Sequence, residues 1–224
     1  MRSPRFPKYS CLLFLITSGG GWAQHPVSGT AADEALARLM AGNRRYVLHK
    51  EQHPDQSLTR RKELESGQHP FAVILGCADS RVSPEILFDQ GLGDLFVIRV
   101  AGNVVDDTIL ASVEYAVEHL GTRLIMVLGH EKCGAVSAAI EGGKQPRHLD
   151  ALVAAINPSV EATKNDPGDK IHNCVIANAR RVAQQIRESE PLLKAALEKE
   201  GLKVVAADYR LDDWTVNLLH PVPR

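Results

Sequence analysis

The sequence predicts an α/β fold: a central four-stranded parallel sheet flanked by helices, with an N-terminal helical arm and a C-terminal antiparallel edge strand. Three observations predict it. The apolar runs at residues 70–76, 95–100, 124–128 and 204–207 are short and uninterrupted, the pattern of strands buried on both faces. Segments with apolar residues at helical spacing separate them, and strands that alternate with helices argue for a parallel sheet. The composition, 44% hydrophobic and 24% charged over 224 residues, excludes collagen-like, low-complexity and wholly disordered chains and suits a single domain.

The elements follow in order. Residues 30–49 open with Thr30 and, three positions on, Asp33, a capping signal, and carry Leu36, Leu39, Met40 and Val47 on one face of an amphipathic helix. A polar stretch at 52–55 and a charged segment up to Gly67 lead to the first strand. Ser83-Pro84-Glu85 supplies an N-cap, a proline at the first helical position and an early acid, so 84–88 is a short helix. After the second strand, Asp106 or Asp107 caps a helix through His119, with Ile109, Val113, Ala116 and Leu120 on one face, and Gly121 closes it. Past the third strand, 133–140 is helical, Asn157-Pro158 and Asp166-Pro167-Gly168 are turns, and 171–187 is a long helix. A further helix at 191–200 ends at Gly201, and 214–219 returns beside the fourth strand.

Residues 1–23 read as a secretory signal: Arg2, Arg5 and Lys8 precede an apolar run at 11–17 and a small-x-small site, Gly21-Trp22-Ala23. The competing reading is an uncleaved amphipathic or disordered tail. That run is far shorter than the roughly 20 apolar residues a spanning helix needs. Cleavage leaves residues 24–224 as one domain, expected to be exported to the periplasm or secreted. It removes three basic residues and no acid, so 23 basic residues face 27 acidic ones and the formal charge moves from −1 to −4. A basic nucleic-acid-binding surface is therefore not expected. Cys77, Cys133 and Cys174 remain, and three thiols cannot all pair within one chain.

In an open parallel sheet, ligands bind beyond the carboxyl ends of the strands, where the winding direction reverses. Cys77 lies just past the first strand and His130 and Cys133 just past the third; with these strands adjacent, 56 positions collapse into one crevice. Two thiolates and an imidazole there supply three ligands of a tetrahedral zinc site with an open fourth position. A Cys77–Cys133 disulfide is the alternative in an oxidising compartment. In Cys77-Ala78-Asp79-Ser80-Arg81 an acid and a guanidinium stand two residues apart. A carboxylate there is a fourth ligand, an acceptor for the metal-bound water, or half of an ordinary loop ion pair; the arginine favours the acceptor, because it holds the carboxylate ionised and away from the metal. Cys174 sits among apolar residues and reads as core.

These residues, with Arg99-Val100-Ala101-Gly102-Asn103, Glu114-Tyr115-Ala116 and Gly129-His130-Glu131-Lys132-Cys133-Gly134, closely resemble the β-class carbonic anhydrases, from about Leu36 to Leu219. The resemblance implies one zinc per chain on Cys77, His130 and Cys133, and a catalytic dyad of Asp79 and Arg81. It matches Gln68 to a glutamine that binds substrate across a dimer interface, Phe96 and Tyr115 to aromatic pocket residues, and Gly134 to the substrate pocket. Those matches resemble the family's open-site subgroup. The opening helix resembles an arm that packs on a partner, which implies a homodimer or a homotetramer. The family often has glycine in the last turn, where this chain has Asp212-Asp213-Trp214.

The expected reaction is the reversible hydration of carbon dioxide to bicarbonate and a proton by zinc-bound hydroxide. A carbon disulfide or carbonyl sulfide hydrolase on the same scaffold is the chemical alternative. A non-catalytic bicarbonate-binding protein and a thiol redox protein are the alternatives from other classes.

Overall fold

The computed structural model describes residues 29–143 and 146–220. The expected signal segment lies outside them. In chain order the elements are α1 (Ala32–Val47), α2 (Leu58–Glu63), β1 (Ala72–Gly76), α3 (Pro84–Leu87), β2 (Leu95–Arg99), α4 (Asp107–Glu118) and β3 (Leu124–His130). They continue with α5 (Gly134–Glu141), α6 (His148–Thr163), α7 (Lys170–Glu188), α8 (Leu192–Lys199), β4 (Lys203–Tyr209) and β5 (Val216–Leu219). Single 3₁₀ turns lie at Leu64–Ser66 and Ala101–Asn103.

The strands form one sheet in the order β2-β1-β3-β4-β5, parallel except for β5, which pairs antiparallel with β4. The chain winds outward from β1 to β2, then returns to place β3 on the other side of β1. That reversal makes β1 and β3 neighbours, with Gly76 in register with Leu128. Alternate residues of β1 enter different cores. Val73 and Leu75 pack with α4, α7 and α8, whereas Ala72 and Ile74 pack with Ala35 and Leu39 of α1 and with Leu87 of α3. Each such buried Val, Ile or Leu is worth about 1.5–3 kcal/mol over its exposed state. A third apolar cluster, holding Cys77, Cys133 and Cys174, closes the carboxyl end of the sheet beneath α5, α6 and α7. Among the described residues no helix is long and apolar enough to cross a membrane.

Four expectations need correction. The N-cap of α1 is Ala31, with no side-chain cap, because Asp33 pairs with Lys203 at the start of β4 instead of reaching back toward Thr30. Ser83 occupies the N-cap position of α3, but its hydroxyl turns to the Glu85 carboxylate. Asn157-Pro158 is no turn, since α6 runs straight through it. An interior proline costs a helix about 3 kcal/mol; burial of Val153, Ile156, Ser159 and Thr163 along one face of α6 offsets it. The charged segment before Gly67 contains α2, capped by Ser57, whose side chain accepts the Arg60 N–H. No residue of α2 is buried, so it has no apolar periodicity to announce it.

The C-terminal turn resolves the departure at Asp212-Asp213-Trp214. Trp214 takes the left-handed conformation (φ 63°) that glycine adopts without strain. Asn43 of α1 holds it there, donating to the Trp214 carbonyl at 3.1 Å and accepting the Val216 N–H at 2.9 Å as β5 begins. His49 adds an edge-on ring contact, with centroids 5.3 Å apart.

Buried Asp89 fastens the loop after α1 to the loop after α3. Its carboxylate accepts the N–H groups of Gln52 (3.0 Å) and His53 (2.9 Å) and pairs with Arg45 at 2.5 Å. Burial opposes its charge, but Gln52, Arg45 and His53 outweigh burial and hold its pKa below the ordinary value. A depressed native pKa adds stability above the unfolded value of about 3.9, and that stability disappears as pH falls through the native pKa. Asp89→Asn is therefore expected to cost about 1–3 kcal/mol at pH 7. The gap to wild type should shrink in urea titrations at acid pH, and a gap independent of pH would refute the assignment.

Candidate metal centre

The topology alone brings the three candidate ligands together. Cys77 is the first residue after β1, His130 is the last of β3, and Cys133 is the N-cap of α5. β3 runs two residues further than its apolar run, because Gly129 and His130 pair with Asp208 and Tyr209 of β4. Gly129 also lets α7 lie close: a Cβ there would stand 3.0 Å from Val175 Cγ1. The ligand atoms of Cys77, His130 and Cys133 all lie within 4.8 Å of one another, and all three residues are buried.

The donor set fits a zinc ion. Cys77 Sγ and Cys133 Sγ are 4.0 Å apart, about twice a disulfide bond length, and both cysteines are free. Zinc–sulfur bonds of about 2.3 Å at a tetrahedral angle place two sulfurs about 3.8 Å apart. His130 Nδ1 is engaged by the Glu131 carbonyl at 2.8 Å, which fixes the ring and leaves Nε2 buried without a hydrogen-bond partner. An orphaned imidazole nitrogen beside two sulfurs is a metal ligand in waiting.

The electrostatics agree. The hydrogen bond from Cys133 pulls the Cys77 thiol down to about 4 against burial, helped by His130 and by the N–H groups of Gly102 and Asp79. The same bond, together with burial, pushes Cys133 up. The sulfurs thus titrate as one unit that readily gives up its first proton. Burial opposes charge on His130, but the neighbouring Cys77 sulfur, the Glu131 carbonyl and the Asp79 carboxylate outweigh it and raise its pKa.

Asp79 and Arg81 form the expected pair. Arg81 donates through Nε to Oδ1 (2.9 Å) and through Nη2 to Oδ2 (2.8 Å), and its backbone N–H reaches Oδ1 at 3.0 Å. The Arg81 side chain is the largest influence on the carboxyl and holds it well below the usual carboxylate range. Asp79 Oδ2 lies 3.9 Å from His130 Nε2, so the acid borders the ligand atoms without joining them. Arg99, at the end of β2, clamps this loop by donating to the carbonyls of Cys77 (3.0 Å) and Asp79 (2.5 Å). In the sequence Arg99 is marked only by its place in Arg99-Val100-Ala101-Gly102-Asn103, which assigns it no task.

The four candidate substrate residues divide. Gly134 follows Cys133 and, with Ala101, Ala135, Ala138 and Leu152, lines an apolar cavity of about 250 Å³. Gln68 is exposed and precedes β1, at the opposite end of that strand from Cys77. Phe96 of β2 is in register with Val73, about 13 Å of strand short of Cys77. It packs near Tyr115 of α4, with ring centroids 6.2 Å apart. This chain therefore does not gather Gln68, Phe96 and Tyr115 around its own ligands.

Comparison with known proteins completes the picture. The family model for carbonic anhydrase matches residues 72–216. Carbonic anhydrase 2 of Mycobacterium tuberculosis (strain ATCC 25618 / H37Rv) is 40% identical over 183 residues, covering 80% of this chain and 88% of its own. The carbonic anhydrase of Mycolicibacterium smegmatis is 38% identical over 188 residues, covering 82% and 91%. Among solved structures, a tetrameric β-carbonic anhydrase of Sordaria macrospora superposes with a TM-score of 0.68 at 23% identity, covering 82% of this chain and 96% of its own. Coccomyxa β-carbonic anhydrase in complex with acetazolamide gives 0.64 at 26% identity, covering 82% and 86%. Sequence and overall fold agree, and the chain belongs to the β-class carbonic anhydrase family of enzymes.

Proposed function

We propose that this carbonic anhydrase catalyses the reversible hydration of carbon dioxide to bicarbonate and a proton with one zinc ion held by Cys77, His130 and Cys133. Zinc bound there supplies a Lewis acid that makes a nucleophilic oxygen available near neutral pH. Asp79, held ionised and turned by Arg81, accepts a hydrogen bond from the attacking oxygen and aims its lone pair. Arg99 and Arg81 keep that carboxylate out of the ligand cluster, the open arrangement. The apolar wall of Gly134 and Ala101 suits an uncharged substrate. The observation that carries the reading is the Arg81-held carboxylate 3.9 Å from the unpartnered His130 nitrogen.

The placement of Gln68, Phe96 and Tyr115 supports a homodimer, or a tetramer of dimers, in which a partner copy supplies pocket residues. Zinc analysis paired with stopped-flow carbon dioxide hydration tests the function. About one zinc per chain and rapid proton release are expected. A metal-free protein with a Cys77–Cys133 disulfide and no hydration would overturn it. We propose export as well, with cleavage after Ala23. N-terminal sequencing of exported protein should begin at Gln24, and a retained Met1 would refute it.

A further inference from the structure

Asn178 interrupts the apolar face of α7, among Cys174, Val175, Ala179 and Val182, and it is 0% exposed. A buried carboxamide is costly unless its hydrogen bonds are made. Its Oδ1 accepts from Arg181 Nη2 at 3.1 Å and from Ser159 Oγ of α6 at 3.3 Å. Arg181 is itself anchored on α6, donating through Nε to Ser159 Oγ (3.0 Å) and through Nη2 to the Ala155 carbonyl (2.5 Å). With the oxygen committed to these donors, the amide nitrogen faces the other way. It donates to the Gly102 carbonyl at 2.8 Å.

Gly102 has no room for a side chain. It has a left-handed φ of 68°, and a Cβ there would meet Ile156 Cδ1 at 2.8 Å and Ala135 Cβ at 3.2 Å. The carbonyl and N–H of Gly102 flank one Cα, so a bond that anchors the carbonyl limits how far the N–H can swing. That N–H donates to Cys77 Sγ at 3.3 Å. A continuous path of hydrogen bonds thus runs from α6 through Asn178 and Gly102 to the sulfur.

We propose that Asn178 is a positioning residue for Cys77, clamping Gly102 so that its N–H donates to the metal-ligating sulfur and moderates the charge that sulfur gives to the metal. The proposal rests on Cys77 being a ligand. Outer partners of this kind orient ligands and tune the metal they hold.

Asn178→Asp is the sharpest variant, because it keeps the one oxygen that accepts from Arg181 and Ser159 and sets a second acceptor oxygen where the donor to Gly102 stood. Loaded with cobalt(II), the variant should show its sulfur-to-cobalt charge-transfer band at longer wavelength than wild type. It should also bind cobalt about 10- to 100-fold more weakly. Val182→Ala, on the same buried face, is expected to lower stability without moving the band, and an equal shift there would overturn the proposal. So would an unshifted band and unchanged affinity in Asn178→Asp. A wild-type measurement requires no variant: loaded with ¹¹³Cd, the protein should show scalar coupling between the Gly102 amide proton and the metal, and its absence would overturn the proposal. A wild type that binds neither cobalt nor cadmium would instead overturn the metal reading on which the proposal rests.

Discussion

Replacing Cys77 with serine is expected to remove the zinc and reduce carbon dioxide hydration to the uncatalysed rate, while the fold survives. The hydroxyl matches the thiol in shape, and it can accept the Gly102 N–H that now reaches Sγ. Packing around a residue only 5% exposed is thereby kept. What is lost is charge. The thiolate forms easily, since its surroundings pull the thiol down to about 4, whereas a serine hydroxyl stays protonated. Cys133 and His130 alone then make a two-ligand site, too weak to retain zinc through dialysis. Elemental analysis, stopped-flow hydration and a circular dichroism melt on the same preparation check the three parts. A variant with full zinc content would remove Cys77 from the ligand set.

Asp79→Asn is expected to leave zinc content unchanged and to lower turnover by about 10²–10⁴-fold, the range set by losing a positioned proton acceptor. Asparagine keeps the size of the side chain and can still accept one bond from Arg81, but it carries no charge and presents an amide donor on one side. The attacking oxygen then meets either a weaker acceptor or a competing donor. Because Asp79 lies outside the ligand cluster, the metal should be indifferent to the change. Parallel measurements of kcat and bound zinc separate the outcomes. Unchanged turnover would refute the acceptor role, and lost zinc would show that the carboxylate supports the ligands directly.

The elements legible in the sequence are those whose burial pattern is local. β1 is an unbroken apolar run because helices cover both of its faces, and α7 announces itself by a long buried stripe. α6 and α2 were hidden for opposite reasons. Pro158 is a local helix-breaking signal that packing overrides, whereas α2 has no buried face and is located by Arg60, which donates to the Leu92 carbonyl at 2.9 Å. The N-terminus of α1 departs from its local capping signal because Asp33 is used by a lysine 170 positions away.

The same division runs through the site. Cys77, Asp79, Arg81, His130 and Cys133 are legible by themselves: their chemistry is written in residue type, and their convergence follows from lying past the ends of strands that flank a winding reversal. Arg99, Gly102 and Asn178 act through backbone groups, a carbonyl or an N–H, which every residue carries and no side-chain pattern marks. The only trace of Asn178 was a polar residue at a buried helical position. The amino-acid sequence by itself determined the fold class, the candidate metal ligands and the acid with its arginine, because each depends on residue identity and short-range pattern. Tertiary structure decided which sulfur receives the Gly102 N–H, what clamps the Asp79 loop, and that Gln68, Phe96 and Tyr115 stand away from this chain's own ligands. Those outcomes depend on the direction of groups brought together from distant positions, and direction is settled only when the chain has packed.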